Sequence, residues 1–334
     1  MKEIFRKLSE AMGPAGAEEE VRQVLKAELE GVVDRLETDA LGNLYAILEP
    51  RGGGGGLTVL LDAHMDEIGL VVTYVEEEGF LRVAPIGGVS PQVALGQRVR
   101  FLGGAEGSVA SDHLDDPKEL EMKHLLVDIG ASSREEALTR VQVGEAGVFT
   151  RPVAEAGEHR LMAKAADDRA GCAVLVEVLK TLKNSPHRVV GVFAVQEEVG
   201  LRGAGPAAYR VEPDLAIAID VTLTGDTPEA PKMAVSLGKG PAIKAMDRSV
   251  IAHPAVRRLL ADVAREKGIP YQMEVLTRGG TDAGSIHLSR GGVPTGAVSI
   301  PCRYVHTPSE MVDLRDMLGA RDLLVALLER PIDL

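Results

Sequence analysis

The sequence predicts an α/β fold, a mixed central sheet flanked by helices and interrupted by a small β-rich domain. Three observations carry that expectation. Four apolar runs of strand length, at residues 57–61, 189–195, 215–219 and 296–300, each lead into polar groups able to bind a ligand: His64 and Asp66, Glu197 and Glu198, Asp220, and His306. Helix-periodic segments alternate with the last three runs. Between about residues 69 and 160 the texture changes to short β-like pieces punctuated by Gly and Pro. Open α/β sheets bind ligands outside the carboxyl ends of their strands, so these side chains should converge although they are scattered along the chain.

Taken in order, residues 2–12 and 18–31 read as amphipathic helices, the second from Val21, Val24, Leu25, Leu29 and Val32 at helical spacing. Residues 33–38 and 43–48 form a hairpin-like pair with Gly42 at the turn. Five consecutive glycines, 52–56, read as a surface loop without the Gly-Lys-Ser/Thr ending of a phosphate-binding loop. Past His64 come β-like pieces at 70–75, 80–84, 98–102, 123–129 and 148–151, with a single helix at 133–140. The expected division is therefore a discontinuous domain, 1–68 plus 161–334, carrying an inserted β-rich domain, 69–160.

From Asp167 the alternation resumes, with a helix at 169–183, a strand at 188–195, a short helix at 201–209 and a strand at 214–221. After an irregular stretch follow a helix at 254–267 stopped by Gly268 and Pro270, a strand at 271–276 and a short helix near 282–288. A strand at 293–300 and a long helix at 310–329 close the chain.

Composition narrows the function classes. A length of 334 residues, 45% hydrophobic and 26% charged, suits an ordinary water-soluble chain of about two domains. Thirty-seven basic against fifty acidic residues give a net charge of −13, which disfavours nonspecific attraction to nucleic acid or to an anionic membrane. The N-terminus lacks a signal-like apolar core and no run approaches a membrane span, so the expected location is the cytoplasm. The two cysteines, Cys172 and Cys302, offer no disulfide framework and read as small buried side chains.

The strand ends and Asp167-Asp168 together supply two imidazoles and several carboxylates, a donor set for Zn²⁺ or Co²⁺, with Mn²⁺ as a further option. With so many acids, two ions bridged by one carboxylate is the natural arrangement, and such a pair performs hydrolysis. One of Glu197 and Glu198 can then bind metal while the other acts as general base. Asp66 is spaced to accept the second N–H of the His64 ring. Each pair alone is weak, since adjacent acids usually form a solvated surface.

The ordered set is what is specific. Residues 63–69 (AHMDEIG), 164–171 (KAADDRAG), 196–204 (QEEVGLRGA), 279–283 (GGTDA) and 301–310 (PCRYVHTPSE) closely resemble the dinuclear metallo-aminopeptidases that include tetrahedral and bacterial glutamyl aminopeptidases, often labelled endoglucanases. The resemblance spans nearly the whole chain and implies a zinc-exopeptidase-like fold. It implies one metal on His64, Asp167 and Asp220 and another on Asp167, Glu198 and His306, with Asp167 bridging. Glu197 would move a proton from water to the leaving amine, beside Asp66, and the peptide bond after Asp167 would be cis. The insert would be the oligomerisation domain, and dimers would build a hollow dodecamer admitting short peptides with a free N-terminus. Two departures fall in the insert: the shortened loop 108–121, and Val89 where an aromatic commonly follows Gly87-Gly88.

Three other readings compete with the aminopeptidase. An N-acyl amino acid deacylase would use the same scaffold without needing a free N-terminus. A glycosidase would work with two carboxylates and no metal. A noncatalytic assembly or binding protein would have no reason to keep every ligand together with Glu197. Side-chain preference is open, because no single Lys or Arg stands out as lining a pocket.

Overall fold

The four apolar runs become neighbouring strands because runs of Val, Ile, Leu and Ala, apolar on both faces, are stable only when helices cover each side. The computed structural model of the chain describes residues 1–51 and 56–334; residues 52–55, four of the five glycines read as a surface loop, lie outside it. The strands are, in chain order, Arg35–Thr38 (β1), Leu44–Leu48 (β2), Thr58–His64 (β3), Gly69–Val75 (β4), Leu81–Ile86 (β5), Arg98–Phe101 (β6), Glu106–Ser111 (β7), Leu125–Asp128 (β8), Ala146–Phe149 (β9), Ala154–Ala156 (β10), Arg160–Ala163 (β11), Arg188–Ala194 (β12), Leu215–Thr222 (β13), Ala242–Met246 (β14), Gln272–Val275 (β15), Thr295–Arg303 (β16) and Glu310–Asp313 (β17).

Among the described residues the large sheet has eleven strands in the order β1-β2-β12-β3-β13-β16-β17-β11-β10, with β14 and β15 branching from β16. Strand β3 runs parallel to β12 and β13, and β13 parallel to β16, so these four carboxyl ends share one edge. The flanks are antiparallel, β2 against β12 and β17 against β16. Alternation along β3 sends Val59, Leu61 and Ala63 into the larger core, shared with the helices Lys2–Glu10, Glu19–Leu29, Ala166–Thr181, Pro254–Lys267 and Leu314–Leu328. Leu60 packs on the opposite face with Ala204, Ala207 and Ala208 of the helix Ala204–Val211.

Strands β4 to β9 close a six-stranded barrel in the order β4-β5-β8-β7-β6-β9 around its own core of Leu70, Leu81, Val99, Phe101, Leu125 and Val127. The barrel ends at Phe149, and β10 already pairs with β11 on the large sheet.

Several elements differ from the sequence expectation. Strands β7, β10, β11 and β14 lie where no strand was expected, and Pro91–Ala94 adds a short helical turn to the insert. Lys244 of β14 gives that stretch a solvent-facing look, yet it is fully buried with Glu274 and Asp247 as ion partners. Residues 310–313, expected to open the last helix, form β17 instead. The helix Leu314–Leu328 starts where the Asp313 carboxylate accepts the Arg315 N–H at 3.0 Å, an N-cap. No helix of the described residues is long and apolar enough to cross a membrane.

Candidate metal centre

His64 is the last residue of β3 and only 2% exposed. Glu197 and Glu198 follow β12, Asp220 lies near the end of β13, His306 follows β16, and Asp167 comes from the first turn of the helix Ala166–Thr181. Four parallel strands and the start of one helix thus deliver five segments to one place. Asp167 stands at the centre: its Oδ1 is 3.1 Å from His64 Nε2 and its Oδ2 is 3.5 Å from His306 Nε2. Asp220 Oδ1 lies 3.9 Å from His64 Nε2, and Glu198 Oε2 lies 3.2 Å from His306 Nε2. Glu197 Oε2 approaches the His64 ring to 3.9 Å. All seven residues singled out from the sequence, Asp66 included, are therefore together. The peptide bond between Asp167 and Asp168 is cis.

Asp66 and Glu310 hold this arrangement from behind. The Asp66 carboxylate accepts the backbone N–H of Glu197 at 2.9 Å and of Glu198 at 3.1 Å, fixing the turn that aims both acids. The nearest Asp66 atom to His64 Nδ1 is the backbone carbonyl, at 3.1 Å, with the carboxylate farther off at 3.5 Å. The ring contact expected of that carboxylate is thus the longer of the two. Buried Glu310 accepts the N–H of Asp167 at 3.0 Å and of His306 at 2.7 Å, tying two of these segments together. Sequence reasoning gave Glu310 no role; its place four residues after His306 was the available signal. Both cysteines are free and buried, and Cys172 donates its S–H to the His64 carbonyl at 3.1 Å.

The electrostatics are those of a site short of positive charge. Burial pushes the Glu197 carboxyl well up, and neighbouring Asp220 adds to it; burial and the Asp167 charge do the same to Asp220. Burial and Asp220 raise Asp168. Burial works to lower both imidazoles, but the surrounding carboxylates win: His64 is held well above its ordinary range and His306 is pushed up to about 11. Burial works to raise Asp167, and the two imidazoles instead hold it below the usual carboxylate range. Burial raises the Asp62 carboxyl to about 7, and burial and the Asp62 charge hold the Asp282 carboxyl well above its ordinary range; none of their four oxygens has a hydrogen-bond partner among the described residues.

This donor set fits divalent cations. Two groups, His64 with Asp168 and Asp220 and His64 with Asp167 and Glu198, bring ligand atoms within 4.8 Å of one another. Asp168, part of the donor set read from the sequence but given no metal by the resemblance, has one oxygen bound to the Gly171 N–H at 2.9 Å and the other, buried, without a partner. Imidazole nitrogen and carboxylate oxygen together suit Zn²⁺, Co²⁺ or Mn²⁺.

The centre floors a cavity of about 640 Å³. From the barrel side, Gly87 (φ +73°) and Gly88 let the backbone close on two candidate ligands. A Cβ at Gly88 would sit 2.3 Å from His306 Nδ1, and one at Gly87 3.1 Å from Glu198 Oε2. The opposite rim carries Arg248 and Arg278.

Comparison with known proteins shows the family of the chain. Residues 42–323 match the profile of a family described as M42 glutamyl aminopeptidase. A putative aminopeptidase from Acetivibrio thermocellus is 48% identical over 97% of this chain and 97% of its own. A lysyl aminopeptidase from Pyrococcus furiosus is 36% identical over 99% and 98%. Among solved structures, an aminopeptidase from the archaeon Desulfurococcus kamchatkensis superposes with a TM-score of 0.94 at 41% identity, covering 98% of this chain and 94% of that one. The TET1 peptidase of Pyrococcus horikoshii, which can assemble into a tetrahedron or a large octahedral shell, gives 0.86 at 34% identity and 98% coverage of both chains.

Proposed function

The chain belongs to the M42 glutamyl aminopeptidase family and is a metal-dependent aminopeptidase, and from that premise we propose that it shortens peptides one N-terminal residue at a time with Glu197 as general base beside two divalent cations. The observation that carries this reading is that the two oxygens of Asp167 face different imidazoles. His64, Asp167 and Asp220 would hold one cation, and Asp167, Glu198 and His306 the other. Bound there, Zn²⁺ or Co²⁺ would acidify a water molecule and polarise the scissile carbonyl.

The chain's own groups do the remaining work. Glu197, whose carboxyl is raised by burial, takes the proton of the attacking water and delivers it to the departing amine. Asp66 keeps Glu197 and Glu198 aimed through their N–H groups. Family membership leaves the side-chain preference open, since the family is described as glutamyl and one relative as lysyl.

We further propose that the barrel is the oligomerisation module of the inserted 69–160 segment and that dimers of the chain assemble into a dodecamer, by analogy with a similar TET1 structure described as a dodecamer and with the Pyrococcus horikoshii tetrahedron. Light scattering on the purified protein tests the assembly.

Mass spectrometry of free and N-acetylated peptides, incubated with and without chelator, tests the activity. Stepwise loss from the free peptides alone, abolished by chelation and restored by Zn²⁺ or Co²⁺, is the expected result. Removal of acetyl groups with the free peptides intact would instead identify a deacylase.

A further inference from the structure

The turn that carries Glu197 is held by more than Asp66. Gln196, the residue before it, lies in the left-handed region (φ +58°), which a residue with a side chain keeps only when its surroundings hold it there. Its N–H donates to Glu18 Oε1 at 3.2 Å. The next two N–H groups, of Glu197 and Glu198, donate to Asp66 Oδ1 at 2.9 Å and Oδ2 at 3.1 Å. Three consecutive backbone donors thus end on two buried carboxylates from separate parts of the chain.

Glu18 is oddly placed for an ordinary helix-end acid. It opens a run of three, Glu18-Glu19-Glu20, at the start of the helix Glu19–Leu29. A polar residue in that position commonly caps its own helix, yet among the described residues the Glu18 side chain makes no such bond. Glu19 and Glu20 are exposed, whereas Glu18 is 3% exposed. Gly16 (φ +90°) turns the chain so that its N–H donates to the same Oε1 at 2.7 Å. Burial pushes the Glu18 carboxyl up, and the charge of nearby Asp66 adds to it. Burying two acids side by side is unfavourable unless both are hydrogen-bonded, and the row of N–H groups meets that need.

The same N-terminal segment grips the loop after β3. The Gly13 carbonyl accepts the Glu67 N–H at 2.9 Å, and the Gly13 N–H donates to Glu67 Oε1 at 3.1 Å. Residues 13–18 therefore bridge the two loops that follow β3 and β12. We propose that Glu18 is a positioning residue for Glu197: by holding the N–H of Gln196 it fixes the direction in which the Glu197 carboxylate leaves the turn. This inference rests on the reading of Glu197 as general base. Asp66 holds the next two N–H groups, so the candidate ligand Glu198 stays placed without Glu18.

The test measures kcat and KM of the Co²⁺-loaded full-length protein on whichever of Leu-, Lys- and Glu-Ala-Ala-Ala is cleaved fastest. Glu18→Ala is expected to lower kcat about ten- to a hundredfold, the range of a hydrogen bond to a charged group, with KM and metal content by elemental analysis unchanged. Glu18→Gln keeps an acceptor oxygen for the same N–H and recovers most of the loss. In a Glu197→Gln background, Glu18→Ala changes the residual rate by less than about twofold, because the group it aims is gone. Glu18→Asp, which retracts the oxygen by one methylene, gives the same pattern and replaces Glu18→Ala if that variant does not fold.

An unchanged kcat in Glu18→Ala would overturn the positioning role while leaving the aminopeptidase intact. So would an equal fold-loss in both backgrounds, or loss of metal along with activity, since each marks a defect that does not act through Glu197. Absence of any cleavage by the unaltered protein would instead count against the aminopeptidase. The hold on the turn is then decided by hydrogen exchange read by mass spectrometry: faster exchange of the segment containing residues 196–198 in Glu18→Ala, slowed again in Glu18→Gln, supports it, and equal protection refutes it.

Discussion

Asp66 and Glu67 are neighbours in sequence, and the buried charges they serve are resolved in opposite ways. Glu67 accepts from Lys164 at 2.7 and 2.8 Å, from Arg169 at 3.2 Å and from the Gly13 N–H at 3.1 Å. Two cations from the chain itself close that cluster. The cluster around Asp167 gathers several carboxylates, with His64 and His306 as its ion partners among the described residues, and it leaves buried oxygens of Asp62, Asp168 and Asp282 without partners. A buried charge must be paired or its group must neutralise. The first cluster meets that demand within the fold; under the proposed function the second would meet it with bound cations, which would separate a structural group of acids from a functional one.

The sharpest break of this comparison is at the two glutamates themselves. Glu197→Gln is expected to lower kcat by about 10²- to 10⁴-fold, the span of general base catalysis, with metal content by elemental analysis unchanged. Loss of metal along with activity would make Glu197 a ligand. Glu67→Gln should act on the opposite ledger, costing about 3–5 kcal/mol in denaturant unfolding because Lys164 and Arg169 stay buried without their anion. If that variant melts normally but binds metal poorly, the two clusters are one.

A smaller effect sharpens the boundary between them. Glu310→Gln removes the charge that ties the Asp167 and His306 backbones and should weaken metal affinity by about 10- to 100-fold, read by competition with a chromogenic chelator. Stability in the presence of excess metal should change little.

The smallest effect concerns pH in the chelated protein. The carboxyls of Glu197, Asp220 and Asp168 and the rings of His64 and His306 all bind protons more tightly folded than unfolded. Their contribution to stability is full below the unfolded values and fades as pH rises through the folded ones. The depressed Asp167 acts in the opposite sense, but only in acid. Metal-free protein should therefore melt a few degrees lower at pH 8.5 than at pH 6.5, whereas metal-loaded protein should not follow that trend; parallel curves would mean that the acids are neutralised by something other than bound cations.

What the sequence made legible was the floor of the site. Apolar runs ending in acids and imidazoles advertise parallel strands with ligands at their carboxyl ends, and five spaced motifs gave the family and the candidate ligands. The rim was opaque for a physical reason: Arg248 and Arg278 sit in loops without periodicity, after a strand disguised by a buried lysine. Only the pairing of β14 with β15 brings them together. Glu310 was hidden differently, because its carboxylate acts on backbone N–H groups, which leave no trace in side-chain patterning.

The two glycines at the barrel's edge bear on how the chain can be taken apart. A segment with its own closed core and its own strands looks like a removable cassette, yet its backbone lies directly against two candidate ligands. Excising the barrel would strip the backbone that lies against His306 and Glu198, and swapping it for that of a relative would require the Gly-Gly edge to travel with it. The architecture is modular in its topology and indivisible in its chemistry, so any redesign of the assembly surface has to begin by holding residues 87 and 88 still.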